Sequence, residues 1–358
     1  VNVAGESAGH REPVKYLAHN GLQMFTNHKG INPNTRAQVF SLAAKLGYQY
    51  LQPRSVAAKG SPKSRSIGVL ICSDTEEFNH SGHESSGAEL LPGVSEFAQI
   101  HHWHTEVHFV SPGAASLADP TYSSLTSLKK RLWSGLLLMS SFPPQVVGEL
   151  TTRFPCVSLL QHYGNAPVDC VDVDHAKGIA ALIDRLRQMR HTRIGFFSRQ
   201  FSANAVGSNR RFGAFVESLS RLGGAYRERD VVLIDTTSPR TIDDSYQRVV
   251  EQIRDGVTAW ICAADQLAYD LIRALKERGF AVPGDVSVTG FDGMARPDGA
   301  PALDTVCVPH YEIGFAASRR LFDKINKRYE APQEILIEGR VVPGETIGPC
   351  QDPQRDGH

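Results

Sequence analysis

The 358-residue chain has no excess of charge of either sign, since 38 Lys and Arg balance 38 Asp and Glu. A global basic field is therefore excluded, and any nucleic-acid contact must come from a local patch. Long hydrophobic runs are missing too. No stretch approaches the roughly 18 consecutive apolar residues of a membrane span, and the opening VNVAGESAGHREPVKYL holds no apolar core of a secretory signal. The expectation is a cytoplasmic protein with no membrane partner. Cysteine is sparse: there are six, none in a C-x-x-C pair, and most sit in apolar runs such as Ile71-Cys72 and Ile261-Cys262. That pattern predicts buried reduced thiols rather than a disulfide framework. Catalytic signatures are absent as well: no G-x-S-x-G elbow, Walker loop, H-E-x-x-H or G-x-G-x-x-G. Neither an enzyme activity nor a cofactor is expected.

What is present divides unevenly. A chain of this length implies two or three domains of roughly 100–200 residues each. Residues 1–50 read as short helices. Thr35 to Leu46 places Val39, Leu42, Ala43 and Leu46 at helical spacing, with Asn34 or Thr35 to cap it and Gly47 to end it. Pro13 to Ala18 is a second candidate helix, preceded by Ala8-Gly9 as a tight turn. Residues 51–65 are rich in Ser, Pro, Gly and basic residues and hold no acid, as a linker would. Residues 1–65 carry nine Lys or Arg against only Glu6 and Glu12, an asymmetry hidden by the zero net charge.

From Ser66 onward strands alternate with helices. Apolar runs predict strands at Ile67–Cys72, Val107–Val110, Gly135–Met139, Cys156–Leu160, Arg193–Ser198, Val231–Ile234, Ala259–Ala263 and Val286–Gly290. Helices are predicted at Ala176–Met189, Asn209–Leu222, Asp244–Arg254 and Leu267–Arg278; the first has Ile179, Leu182, Ile183 and Leu186 on one face. Such alternation implies parallel sheets covered by helices on both faces. The length suits two Rossmann-like lobes better than one sheet.

Ligands of open parallel sheets bind outside the carboxyl ends of the strands. Asp265 follows the strand ending at Ala263, Asp292 follows the strand ending at Gly290, and Arg210 lies at the start of the helix after Arg193–Ser198. Asp265 and Asp292 can each accept two hydroxyl hydrogen bonds, and Arg210 can donate a fork, which suits a polyhydroxylated ligand. Phe78, Tyr163 and Trp260 are candidates to stack on the C–H face of a sugar ring. Plainer roles stand beside these: a turn acid at Asp292, an N-cap at Asp265 for helix 267–278, a solvated helix arginine at Arg210. His80, His83, His101, His102, His104 and His108 crowd one stretch without matching any zinc spacing, and read as surface and loop histidines rather than a metal site. Residues 79–92 (NHSGHESSGAELLP) look like a loop beside the ligand.

CAADQLAYDLIRALKERGFAVPGDVSVTGFDG (262–293) is similar, nearly residue for residue, to a signature of the LacI/GalR family of transcription regulators. DVDHAKGIAALIDRLRQMRHTRIGFFS (172–198) resembles that family's crossover, helix and next strand; NRRFGAF (209–215) resembles its Arg-x-x-Gly-Phe element; LDTVCVPHYEIG (303–314) resembles its return crossover. The resemblance implies an α/β chain of two Rossmann-like lobes, periplasmic-binding-protein-like of type I, with an N-terminal all-α helix-turn-helix head. The implied domains are a head at 1–50, a hinge at 51–65, one sensor lobe at 66–172 with 307–329, and the other at 173–306 with 330–350. It further implies a homodimeric repressor that binds a pseudo-palindromic double-stranded DNA operator and senses a sugar or related small molecule. Helix Leu267–Arg278 would then be part of the dimer interface.

Ala8 to Ala18 resembles the family's turn and recognition helix but is one residue short, while Ile31 to Tyr48 resembles the third helix of the head. A second helix lying in the major groove makes Arg11, Lys15 and Tyr16 the groove-facing candidates. Arg11 would read guanine and Lys15 would contact phosphate; the plainer role of both is a solvated face. Arg36 and Lys59 complete the candidate DNA contacts. Val56-Ala57-Ala58-Lys59 stands where the family's hinge has Ala-Arg-x-Leu, so the leucine that wedges into the minor groove is missing. The alternative is a sugar-binding sensor or receptor module without DNA-binding activity.

Overall fold

The computed structural model describes residues 65–73, 86–164, 166–200, 206–223, 226–235, 238–327 and 331–350. The head and linker, with Arg11, Lys15, Tyr16, Arg36 and Lys59, lie outside these residues, as do Phe78, His80 and His83. The chain forms two compact units. One runs up to Asp172 and includes His310–Ile335; the other is Val173–Pro309 with Leu336 onward.

The first unit is built on β1 (Ser66–Cys72), β2 (His104–Val110), β3 (Leu136–Met139), β4 (Cys156–Leu159), β5 (Asp169–Val173) and β11 (Glu334–Ile337), in the order β11-β5-β4-β3-β1-β2. β1 is buried along nearly its whole length and pairs in parallel with β2 and β3, placing Val69 opposite both Val107 and Leu137. Helices α1 (Ser86–Ile100), α2 (Pro120–Ser123), α3 (Thr126–Lys129), α4 (Pro144–Thr151) and α9 (His310–Ile325) accompany the sheet. Part of the stretch expected to be a loop at 79–92 is therefore helical from Ser86 on, even though Pro92 lies inside α1. Leu90, Leu91, Val94, Phe97 and Ala98 of this helix are buried, and that burial outweighs the Ser- and Gly-rich start. β5 was not expected as a strand because its sequence, DCVDV, alternates acids with apolar residues. Asp169 is nonetheless fully buried, 2.6 Å from Arg320 Nε and 3.4 Å from Lys324 Nζ, and it accepts from the Gln333 amide. A buried charge is tolerated when paired and hydrogen-bonded in this way.

The second unit holds β6 (Ile194–Arg199), β7 (Val231–Ile234), β8 (Ala259–Cys262), β9 (Ser287–Asp292), β10 (Asp304–Cys307) and β12 (Arg340–Val342), in the order β12-β10-β9-β8-β6-β7. All pairs are parallel except β10 with β12. Around this sheet lie α5 (His175–Gln188), α6 (Val206–Arg221), α7 (Pro239–Arg254) and α8 (Asp265–Glu277). α5 buries Ile179, Leu182, Ile183 and Leu186, the face its spacing predicts. α7 begins five residues before the expected Asp244 because Ser238 and Thr241 form a reciprocal capping box with Pro239 as the first helical residue. The start is written in the cap, not in apolar spacing. In β10, Asp304 is buried against Arg185 Nε at 2.8 Å and the amides of Thr346 and Ile347.

At the opposite end of this sheet from its strand tips, His191 clamps the C-terminal segment. Its Nε2 is 2.9 Å from the Gly348 carbonyl and 3.0 Å from Ser287 Oγ, and its Nδ1 is 2.9 Å from Thr258 Oγ1. Burial pushes the imidazole pKa below its ordinary 6.5. A base whose folded pKa is lowered stabilises the fold fully above the unfolded value and loses that contribution as pH falls through the folded one. Thermal stability should thus acquire an acid limb below about pH 6.5 that His191→Gln removes. An acid limb of equal slope in both proteins would refute the assignment to His191.

Candidate functional site

Both sheets have the same order. Read from the edge, they run second strand, first, third, fourth, fifth: β2-β1-β3-β4-β5 and β7-β6-β8-β9-β10. In this arrangement the chain reverses its winding between the first and third strands, and the crevice outside their carboxyl ends is where ligands bind. In the second unit that point lies between β6 and β8.

Backbone strain marks the same ends. Of the described non-glycine residues with positive φ, His102, Arg131, Arg190 and Lys327 each follow a helix within two residues, where a left-handed stop is ordinary. The remaining three end strands: Ser140 (φ 69°) after β3, Leu160 (φ 59°) after β4 and Asp292 (φ 141°) at the tip of β9. Such conformations cost about 1–3 kcal/mol each and gather where a side chain must be aimed at a ligand.

Asp292 is aimed at Arg211. The guanidinium of Arg211, one turn into α6, lies 2.9 Å from Asp292 Oδ1. Its Nε donates to His175 Nδ1 at 3.2 Å, and its other terminal nitrogen donates to the carbonyl of Ala263, at the end of β8. Its plane sits 3.9 Å above the centroid of the buried Phe291 ring, a cation–π stack. The carboxyl ends of β8 and β9, the start of α5 and the first turns of α6 therefore converge on one cation. Asp292 remains 27% exposed, so a carboxylate is held by a buried arginine yet open to solvent. That combination can bind vicinal hydroxyls, with Asp292 accepting and Arg211 donating.

This placement differs from the sequence expectation by one residue. Arg210 sits on α6 next to Arg211, turned by about 100° around the helix axis, and is only half-buried. The clue was Phe215, which is 1% exposed and anchors α6 in the core. The residue four before it, Arg211, shares its face, so NRRFGAF is better read from Arg211 to Phe215. His175 and Phe291 were missed as well; both stand inside segments quoted for their resemblance, but neither residue type announces a ligand contact alone.

Asp265 is not open to a ligand. It is 1% exposed and its oxygens are engaged: Oδ2 accepts from the amides of Gly293 and Met294, each at 2.7 Å, and Oδ1 from Thr305 Oγ1 at 2.5 Å. It does not cap α8 either, since Ala264 is the cap residue without a side-chain bond. Burial, with the nearby Asp292 charge adding, pushes its carboxyl up to about 6 against the pull of these hydrogen bonds. Trp260 is fully buried within β8, its ring packed so closely on Gly195 that a Cβ there would lie 2.6 Å from Cζ3. The indole presents no face to a ligand. Tyr163, in the first unit, braces the segment after β3: its hydroxyl accepts from the Phe142 amide at 2.9 Å and donates to the Ser140 carbonyl at 3.2 Å, while its ring packs on the core. Burial pushes this phenol above its ordinary range.

Elsewhere in the second unit, a groove of about 530 Å³ lies beside the end of β7, lined by Asp235, Thr241, Asp244, Ser245 and Arg248 among others. Among the described residues no group of three or more His, Cys, Asp or Glu is placed to share a metal ion. In the histidine-rich stretch, His101 packs on Phe97 and Phe322, and His108 lies 3.5 Å from Glu106. Among the described residues no helix is long and apolar enough to cross a membrane.

Comparison with known proteins agrees with this architecture. Residues 183–347 match the model of the periplasmic binding protein-like domain. The HTH-type transcriptional repressor PurR of Yersinia enterocolitica is 28% identical over 330 residues, which cover 90% of this chain and 91% of that protein. Among solved structures, a LacI family transcriptional regulator from Enterococcus faecium with bound ribose superposes with a TM-score of 0.59 at 20% identity, over 80% of this chain and all of its own. The lac repressor dimer bound to operator and the anti-inducer ONPF gives 0.64 at 18% identity, over 84% of this chain and all of its own. The repeated sheet order, the signature at 262–293, the domain match and the near full-length likeness to a repressor converge: residues 183–347 carry a periplasmic binding protein-like domain, and the chain is similar along most of its length to transcriptional repressors of the LacI/GalR kind.

Proposed function

We propose that this protein is a ligand-responsive transcriptional repressor whose effector, a sugar or related polyol, is held in the second unit by Arg211 and Asp292. The observation that carries the effector assignment is the Arg211–Asp292 pair, stacked on Phe291 at the point where strand winding reverses, with Asp292 in a strained conformation and partly open. The head at residues 1–50 and the hinge after it bind a pseudo-palindromic operator as part of a homodimer, through Arg11, Lys15, Tyr16 and Arg36 of the head and Lys59 of the hinge. Two heads are needed because one small contact patch gives little specificity, and operator half-sites mirror the protein's two-fold symmetry. Effector acts by binding one of two DNA-affinity states more tightly than the other. The names of the relatives support this reading: a repressor, a lac repressor seen on its operator, and a family member holding ribose.

A thermal-shift screen of sugars and sugar acids tests the effector; no stabilisation by any member of the panel would sink the polyol assignment. Removing residues 1–60 should abolish specific binding to palindromes upstream of the protein's own gene in a mobility-shift assay, while the thermal shift survives. Loss of both would contradict a separable head. The short recognition turn and the hinge without leucine favour a second reading, a sensor that has lost DNA binding; it is the one left standing if the intact chain shifts none of those palindromes while its thermal response to sugar is retained.

A further inference from the structure

Asp265 opens α8, and each hydrogen bond made to its carboxylate comes from a donor: the two backbone amides that follow Asp292 and the Thr305 hydroxyl. The surrounding sequence is cut to fit it. A Cβ at Gly290 would collide with Asp265 Oδ1, and Gly293, at φ +78°, presses on Cys307 so closely that a Cβ would sit 2.8 Å from its sulfur. Gly290, Asp265, Gly293 and Thr305 thus form one clamp beneath the turn that carries Asp292. We propose that Asp265 is a positioning residue of the effector site: its charged carboxylate holds the Asp292 turn through the Gly293 and Met294 amides, and uptake of a proton at Asp265 loosens that hold. This inference rests on the effector-site reading above for its functional meaning, but not for its test.

The chemistry follows from counting acceptors. A proton on Oδ1 turns that oxygen into a donor to the Thr305 hydroxyl, which then accepts, and leaves Oδ2 a neutral carbonyl, so its bonds to the Gly293 and Met294 amides drop from charge-assisted to ordinary strength. The turn is then held less tightly against the strain at Asp292. The groups facing Asp265 are Asp292 from β9, itself paired with Arg211 from α6, Thr305 from β10, Cys262 from β8, and Tyr269 one turn along α8, with Arg296 beyond it. Burial and the Asp292 charge bring the Asp265 carboxyl to about 6, within reach of mild acidification.

The chain holds only four methionines, so the intact protein labelled with [15N]methionine gives a sparse amide spectrum in which Met294→Leu identifies the Met294 peak. In the wild type that peak should titrate with a midpoint near pH 6. Asp265→Asn should abolish the titration; Asn keeps an oxygen for the two amides and turns its NH2 toward the Thr305 hydroxyl, which can accept. Thr305→Val, which removes a donor that favours the charged form, should raise the midpoint by about half a unit or more. A wild-type midpoint below about pH 4.5, a Met294 titration that persists in Asp265→Asn, or an unmoved midpoint in Thr305→Val would each overturn the proposal. No effector or DNA enters the measurement, so its failure is distinct from a failure of the effector assignment.

Discussion

Arg211→Ala should abolish the thermal shift produced by the sugar that the screen identifies, with Kd weakened by roughly 100-fold or more, while Arg210→Ala should leave it within about threefold. The magnitude follows from two losses. Arg211 supplies charge-assisted donors worth roughly 1.5–3 kcal/mol each, and two of them together exceed the roughly 1.4 kcal/mol per tenfold of affinity twice over. Its removal also leaves Asp292 without its 2.9 Å partner at the tip of β9, so the acceptor no longer points at a fixed place. Asp292→Ala should abolish the shift as well. Arg211→Lys is a sharper probe, since an ammonium cannot reach His175 Nδ1, the Ala263 carbonyl and Asp292 together, nor stack flat on Phe291. It should fall closer to Ala than to wild type. Isothermal titration with that sugar measures all four variants. Equal losses for Arg210→Ala and Arg211→Ala would refute the assignment.

The contrast between these neighbours shows what a sequence can and cannot display. Hydrophobic periodicity located β1, the second half of β2, β3, β4, β6, β7, β8 and β9 and the helices from α5 to α8, because burial on both faces or on one stripe leaves a regular mark. It missed β5 and β10, whose Asp169 and Asp304 look like loop residues until Arg320 and Arg185 are seen against them, 151 and 119 residues away in sequence. Partners so distant leave no local signal. The same limit governs the site. Asp292 was visible as an acid at the end of an apolar strand, where a ligand contact and a turn acid both remained open. Asp265 was equally visible as an acid, but its engagement with the backbone of residues 293 and 294 depends on how β8, β9 and β10 lie side by side. Trp260 suggested a stacking platform by residue type alone, whereas the closeness of β6 puts Gly195 against its ring. Arg211 needed a register on α6, and one residue was enough to exchange the partner of Asp292 for a half-buried flank.

The largest effect on stability is expected in the first unit, where α1 meets α9. Gly93 and Gly314 face each other's helices. A Cβ at Gly93 would overlap the Tyr311 carbonyl oxygen and lie 2.7 Å from the Phe315 nitrogen; one at Gly314 would overlap the Leu90 carbonyl oxygen. These neighbours are backbone and cannot rotate away, so either methyl must push the helices apart. Separation would open the aromatic packing they share, in which Phe97 meets Phe315 edge-on at 5.3 Å and Trp103 stacks on Phe322 at 5.6 Å. Overpacking of side chains costs about 1–3 kcal/mol, and a backbone collision with loss of this packing places Gly93→Ala at or above the top of that range. At roughly 2–4 °C per kcal/mol the melting temperature should fall by about 10 °C. Gly93→Ala combined with Gly314→Ala should cost less than the sum, because the first methyl already makes room for the second. Gly148→Ala in α4 is the control: a Cβ there meets nothing within 4 Å, and the exchange in a helix interior should be neutral or stabilising by up to about 1 kcal/mol. Calorimetric melting that places Gly93→Ala beside Gly148→Ala would rule out the close crossing of α1 and α9. A destabilised Gly93→Ala that still binds sugar with unchanged Kd would fix the role of that crossing as architectural, separate from the effector site proposed in the other unit.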